Sequence, residues 1–437
     1  MTQYHNSSAR IFCPKAKVTI DTNKRTYDVS DNIISLTTDK TYGVVEGSFS
    51  LQLAPSNKQF GGEDDEISDP LKPFGLEYDD IFSPNDKIKI ELDDGGGEGV
   101  NTVLVGLLSQ IEKTFSVASN GQPVRRVSIS GSDMGKVLSK HHCQWYLAPR
   151  KENLGTESSI TSLVYGAQLY AGGTPSKIVS LILEKELFDR MPWTKNYITD
   201  DLINSSDTWS INNAGVSMHS TVSEALRYVS NEPFNKLHGD TRNDGLYHVI
   251  LEKCPFNNTT GRLDRAVLKT IEPELVVSSS LGKNDHDQVN YLWLKTLVGA
   301  FGGAGGSSLL MLKGDAQQYE TASVEANGFM PWMPESRFSP FTKNGDPQLL
   351  DSLAYVEQPV KDRTDTLWNW YRNNHTYLSG NISLHGASDI RAGEGVLFEG
   401  NEYFVESVNH RFEVDKGLYY RTTLHVTRGQ KCLNKTQ

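Results

Sequence analysis

The sequence predicts a mainly β protein with α+β character: two antiparallel β-barrel domains flanking an α+β middle region. Three observations carry this reading. Apolar residues recur with period two near both ends of the chain. Helix-start signals followed by helical spacing stand in the middle, at Thr174-Pro175 and Thr221–Glu224. Blocks of the first β region also return, in the same order, in the last. The boundaries read as an N-terminal arm at 1–16, a first barrel at 17–132, an α+β domain at 133–296 and a Gly/Pro-rich connector at 297–364. A second barrel follows at 365–430, to which the middle region can contribute a part, and then a tail at 431–437.

Residues 17–55 alternate like strands, and Ser48-Phe49-Ser50-Leu51-Gln52-Leu53 puts Phe49, Leu51 and Leu53 on one face. The stretch from Gly61 to Pro84, with Glu63-Asp64-Asp65-Glu66, reads as a solvated loop. Alternation resumes at Lys87–Leu92, and Asp93-Asp94-Gly95-Gly96-Gly97 reads as a hairpin connection. Val103–Val117 and Val124–Ser130 complete an antiparallel meander. Beyond Asp133, Thr174-Pro175 predicts an N-cap with Pro at the first helical position, followed by Ile178, Leu181, Ile182 and Leu187 on one face. Thr221-Val222-Ser223-Glu224 is a capping box backed by Val222, Leu226 and Val229, with Pro233 as the stop. Residues 297–350 read as loops punctuated by Pro331, Pro334, Pro340 and Pro347. A short helix is expected to start at Asp365 and carry Trp368, Trp370 and Tyr371. From Gly380 to Gly429 the pattern is β again, with a hairpin at Asp415-Lys416-Gly417.

Across 437 residues, 43 Lys and Arg against 54 Asp and Glu leave a net charge of −11. Such a chain repels phosphate and makes a poor dedicated wrapper of duplex DNA. One local exception is Gly121–Lys151, with Arg125, Arg126, Lys136, Lys140, Arg150 and Lys151 against Asp133 alone; it reads as a solvated face, or else as a contact for an acidic neighbour. The opening MTQYHNSSARIF has no apolar run behind a basic flank, so no secretory signal is expected. Cys13, Cys143, Cys254 and Cys432 lie far apart and read as thiols rather than a disulfide framework or a zinc ribbon. The uncharged run between Lys295 and Lys313 is shorter than the roughly 20 apolar residues of a spanning helix and rich in glycine, so no membrane-spanning segment is expected.

The repeat aligns three blocks. Gly47-Ser48-Phe49-Ser50-Leu51 matches Gly380-Asn381-Ile382-Ser383-Leu384, and Phe82–Ile88 matches Ile390–Val396. The third pairs Ile111–Val117, with Phe115, against Val408–Val414, with Phe412; Val127-Ser128-Ile129 then answers to Leu424-His425-Val426. Gly47 and Gly380 are expected at equivalent strand positions where a side chain would strike a neighbouring backbone. A chain with two similar barrels can, as a trimer, present six similar units around one axis.

The stretch from Ser379 to Gly429 resembles the tail hub (late control protein D-like) family of contractile-tailed bacteriophages, which includes the N-terminal part of VgrG proteins. It supplies Ile390, Arg391 and Gly393 of the family's I-R-x-G-D turn, with Glu394 in place of the Asp. Val405, Val408, His410 and Phe412 follow, and then Thr423, Leu424, Val426 and Arg428 of the last strand. The close match covers about 50 residues. The resemblance implies barrels like tail-tube subunits in a homotrimeric baseplate hub with a pseudo-sixfold ring. Such a hub joins the hexameric tail tube, or a distal tube protein, to a trimeric central spike. It also meets baseplate wedge or other hub proteins and leaves a channel for genomic DNA in transit. Its place would be the virion tail, after assembly in the host bacterial cytoplasm. Nothing after Arg428 reads as a spike or lysozyme segment, so the spike is expected on a separate chain.

Signatures of chemistry are mostly missing. Gly302-Gly303-Ala304-Gly305-Gly306-Ser307 lacks the lysine of a phosphate cradle, and no H-E-x-x-H, G-x-S-x-G or EF-hand pattern occurs. His141-His142-Cys143 would point to opposite faces of a strand, and Asp285-His286-Asp287 reads as a loop. Trp368, Trp370 and Tyr371 read as core or a protein interface, with a sugar-stacking platform as the alternative. No catalytic residue, cofactor or metal site is expected. The competing functions are a tail-associated peptidoglycan hydrolase, which needs two carboxylates about 5–9.5 Å apart, and the hub of a related contractile injection system.

Overall fold

The computed structural model describes residues 13–54, 78–143, 174–296 and 317–432, less 97–98, 118–122, 206, 208–209, 212–219, 266, 286–287, 337, 340–341, 344–345, 348–353 and 415–416. The acidic run at 63–66, the glycine cluster at 302–306 and part of the basic stretch, Arg150 and Lys151 included, lie outside those residues. So do His286 and Asp287.

Alternation at the N-terminal end becomes seven strands: β1 Lys15–Asp21, β2 Thr26–Asp28, β3 Ile33–Thr41, β4 Ser48–Leu53, β5 Lys87–Asp93, β6 Asn101–Val117 and β7 Pro123–Asp133. In β4 and β5 every second residue is buried: Phe49, Leu51 and Leu53 in one, Ile88, Ile90 and Leu92 in the other. The β5–β6 hairpin opens where the Gly95 N–H donates to Asp93 Oδ1 at 2.8 Å, with Gly95 at φ +77°. The end of the expected acidic loop is ordered differently: Tyr78–Ile81 is one helical turn, and the buried rings of Tyr78 and Phe82 stack 5.5 Å apart.

The middle region adds a small sheet of β8 Ile198–Ile203, β9 Asn235–Thr241 and β10 Tyr247–Lys253, β10 being central, antiparallel to β9 and parallel to β8. The helix Pro175–Ile182 has Pro at its first position and continues as a wider π-helical turn, Leu183–Phe188. The helix Val222–Val229 carries the complete capping box, Thr221 Oγ1 accepting from the Glu224 N–H at 3.2 Å and Glu224 Oε2 from the Thr221 N–H at 2.8 Å. Ile178, Ile182, Leu187, Val222, Leu226 and Val229 pack with Leu237 and Leu251 into one core.

The helix expected to start at Asp365 starts at Ala354 and runs 18 residues to Tyr371, so the aromatic residues end it rather than begin it. Pro359 sits inside this helix, a place that proline disfavours because it removes a backbone donor. Burial of Val360, Leu367 and Trp368 on one side supplies the packing that holds the extra turns.

The C-terminal strands are β13 Leu378–His385, β14 Gly395–Phe398, β15 Asn401–Glu413 and β16 Tyr419–Lys431. They are joined by two strands from the middle of the chain, β11 Val267–Thr270 and β12 Val276–Gly282. All thirteen strands outside the small sheets form one continuous sheet, ordered β12-β13-β16-β15-β3-β4-β7-β6-β5-β1-β2, with β14 between β15 and β11. Within it, β3-β4-β7-β6-β5-β1 and β12-β13-β16-β15-β14-β11 are the same order of equivalent strands. The last pair differs in sense, antiparallel in one and parallel in the other. Irregularities recur as well: β6 slips at Ser109 against β7 as β15 slips at Glu406 against β16, and β3 slips at Ile34 against β4 as β12 slips at Val277 against β13.

These ladders correct part of the sequence alignment. The second and third blocks share one register, because Ile88 faces Gly106 as Val396 faces Tyr403. The first block and the last strand each shift by two residues. Leu51 faces Ile129 as Ile382 faces Leu424, so Gly380 is equivalent to Phe49, not to Gly47. A period-two pattern looks the same after a slip of two residues, so side-chain type could not detect it. Each glycine does sit where a Cβ would strike a neighbouring backbone carbonyl, that of Asp39 for Gly47 and that of Ser280 for Gly380.

The halves meet where β3 pairs with the far part of β15, Leu36 facing Phe412 and Thr38 facing His410. Phe412 is only 4% exposed and, with Tyr420, belongs to the core built from β1 and β3–β7. Phe412→Ala is therefore expected to destabilise the protein by about 3–5 kcal/mol. Urea unfolding measures it, and a loss below about 1 kcal/mol would contradict this joint.

Candidate functional site

Three parts of the chain converge on the turn between β13 and β14. Gly393, at φ +90°, lets the turn pass the Tyr42 ring, which a Cβ there would meet at 2.7 Å. The Glu394 carboxylate accepts the Arg391 N–H at 3.0 Å, so Glu fills the place where the resembling family has Asp. Burial pushes the Glu394 carboxyl above its ordinary range, against the pull of Arg391. The Arg391 side chain leaves the turn and donates to the Thr241 carbonyl and to Asn243 Oδ1 at 3.0 Å, with Asp240 at 3.4 Å. From there Thr241 Oγ1 accepts the Val105 N–H at 3.2 Å, Asn243 donates to Asn101 at 3.0 Å, and Asn101 donates to Ser388 at 3.0 Å. The first half, the small sheet and the second half are thus held in one hydrogen-bonded circuit around a cleft.

Two more buried polar groups line that cleft. Asp133, at the end of β7, pairs with Lys40 and accepts the Gly135 N–H at 3.0 Å; burial raises its pKa and Lys40 opposes that. His410 on β15 meets Thr422 Oγ1 and the Tyr420 hydroxyl, each at 3.0 Å. Burial holds its imidazole down to about 3, so it is neutral at physiological pH. Asp133 and Asp240 face cations, Lys40 and Arg391, whereas Asp39 at the rim accepts the Asn409 amide at 3.3 Å. Among the described residues no three His, Cys, Asp or Glu side chains are grouped to hold a metal ion. Cys143, next to His141 and His142, is buried, and desolvation pushes its thiol up to about 12.

The aromatic residues read as core or a protein interface belong to a core. Trp368 and Trp370 are buried, and Tyr371 packs against their cluster with Phe234, Phe256, Leu367 and Phe404. Arg428 explains why: its guanidinium lies 3.5 Å from the Phe256 ring centre and 5.3 Å from that of Tyr371, and it donates to the Trp370 carbonyl at 2.8 Å. A buried cation needs acceptors and ring faces around it, and these aromatics supply them. The other repeat positions divide by exposure. Phe49, Leu51, Ile382, Leu384, Val408 and Phe412 are buried and Ile111 is half-buried, whereas Phe115 is 63% exposed. The sequence motif pointed at Arg391 and Arg428 but not at their partners. Asp240, Thr241 and Asn243 lie some 150 residues from Arg391 in an unremarkable hairpin, and Lys40 carried no signal.

Loss of Arg391 would leave the Thr241 carbonyl without its donor, while Asp240 would keep Arg242 Nε at 3.3 Å. Arg391→Ala is expected to cost about 1–3 kcal/mol through the hydrogen bonds lost at Thr241 and Asn243, and Arg391→Lys to recover only part of it. Chemical denaturation of both variants checks this. The depressed pKa of His410 means that the unfolded chain takes up a proton below its ordinary value of 6.5 that the folded chain refuses down to about 3. Its contribution is therefore full above pH 6.5 and is lost progressively as pH falls through that window. His410→Gln should flatten the stability–pH slope between those limits by about one proton, measured as the difference from the parent chain.

No family model matches the chain, and no curated protein matches it. Solved structures do. A tail protein from Neisseria meningitidis MC58 superposes with a TM-score of 0.51 at 12% identity, covering 94% of this chain and 96% of that one. The 43 kDa tail protein of prophage MuSo2 from Shewanella oneidensis gives 0.52 at 11% identity, over 95% and 98%. Over nearly its whole length, the chain has the fold of these phage tail proteins.

Proposed function

We propose that this chain is the structural hub of a phage tail baseplate. The observation that carries the reading is the doubled strand order inside one continuous sheet, on a chain with a tail-protein fold. A homotrimer of such a chain carries six like units, a pseudo-sixfold ring on a threefold body. That symmetry is what a part needs if it seats a hexameric tail tube or distal tube protein on one face and a trimeric central spike on the other. In this reading the tube-like barrels are residues 17–132 and 365–430, the second completed by Val267–Gly282 from the middle region. Baseplate wedge or other hub proteins adjoin the outside.

Genomic DNA is a partner only in transit. A net charge of −11 favours a bore from which phosphate is repelled rather than held. The protein belongs in the virion tail, after assembly in the host cytoplasm. The paired charges around Arg391 and Asp133 support a mechanical part, because they tie the two halves and the small sheet to one another.

Light scattering on the purified chain, alone and mixed with its tail-tube protein, tests this. A mass near three times 48.6 kDa, alone or on mixing, is expected. A monomer that ignores both tube and spike proteins would overturn the reading.

A further inference from the structure

Within the chain, β3 fills the free edge of β15 beyond the reach of β14: β14 pairs with Asn401–Phe404 and β3 with Ser407–Glu413. The equivalent strands lack that arrangement. β5 covers β6 only as far as Leu107, and from Ser109 to Val117 β6 pairs with β7 alone among the described residues. At the far end of the sheet β12, the equivalent of β3, pairs with β13 alone among the described residues. Six strands, β13, β16, β15, β3, β4 and β7, separate these two edges in the sheet order of one chain.

We infer that β12 of one copy adds to the distal part of β6 of the next, repeating between chains the β3–β15 joint found within each. This deepens the hub reading and rests on its self-assembly. Transferring the observed register sets Glu112 opposite Gly282, Thr114 opposite Ser280 and Phe115 opposite Ser279 of the neighbouring copy. Burial argues for the same surface. Phe412 is 4% exposed in the inner joint, whereas its equivalent Phe115 is 63% exposed and Val117 is 65% exposed. Beside them β12 offers small side chains, Ser278, Ser279 and Ser280, with Val277 also exposed. An unpaired strand edge with exposed apolar side chains is an association surface unless something covers it. Because donor and acceptor edges differ, the contact runs head to tail and closes a ring rather than a symmetric pair.

Directly opposed strand residues have Cα atoms about 4.5–5.5 Å apart, within disulfide reach. Under mild oxidation the variant Thr114→Cys/Ser280→Cys should give covalent dimer and trimer on non-reducing gels. Either single variant, and the one-residue slip Thr114→Cys/Ser279→Cys, should give at least tenfold less. Phe115→Asp should raise the dissociation constant of the oligomer at least tenfold with an unchanged circular dichroism spectrum. Absence of the specific cross-link in an assembly that still binds tube protein would overturn the edge pairing and leave the hub reading standing. A specific cross-link in a chain that binds neither tube nor spike would do the reverse. A chain that stays monomeric without the cross-link overturns the pairing.

Discussion

Backbone groups at a strand edge must find partners, and in this molecule that need joins what would otherwise be two separate sheets. β15 is 13 residues long but β14 only four, so β15 runs on past its neighbour and leaves N–H and C=O groups exposed. β3, from the other end of the chain, lies along that edge over seven residue pairs. Because the pairing is a ladder, it fixes direction and register together, and Phe412 and Tyr420 fall into the core of the first half. The halves therefore share apolar burial as well as hydrogen bonds.

Charge then stiffens what the ladder joins. Arg391 ties the β13–β14 turn to the small sheet, Lys40 meets Asp133 across the β3–β7 corner, and Arg428 is held among ring faces and carbonyls. Buried charges are costly unless every one is met, so such groups tolerate few relative positions. These contacts tie the three parts of the chain together beside the β3–β15 ladder. They also account for the cleft beside Arg391 being lined by polar groups already satisfied by one another.

Much of this organisation was readable residue by residue. The period-two runs at Ser48–Leu53 and Lys87–Leu92, the Thr221 capping box and the Pro175 helix start are local properties that follow from a few neighbouring side chains. The order of the repeated blocks was equally visible. The helix from Ala354 was not, since Pro359 argues against it locally and only the packing of Val360 and Leu367 decides in its favour. For Trp368, Trp370 and Tyr371 the sequence left core and interface open, and the structure packs them in a core beside Arg428, some 60 residues further on.

The sequence alone determined the β–α/β–β succession, the turn chemistry and the presence of two like halves, because each rests on short-range patterns of polarity and backbone preference. Only the tertiary structure decided the register of the repeat, the splicing of β3 to β15 and the partners of Arg391. Alternating side chains look the same after a slip of two residues, and backbone edges carry no side-chain signature. What settles such choices is which distant edges and charges the folded chain brings within hydrogen-bonding reach.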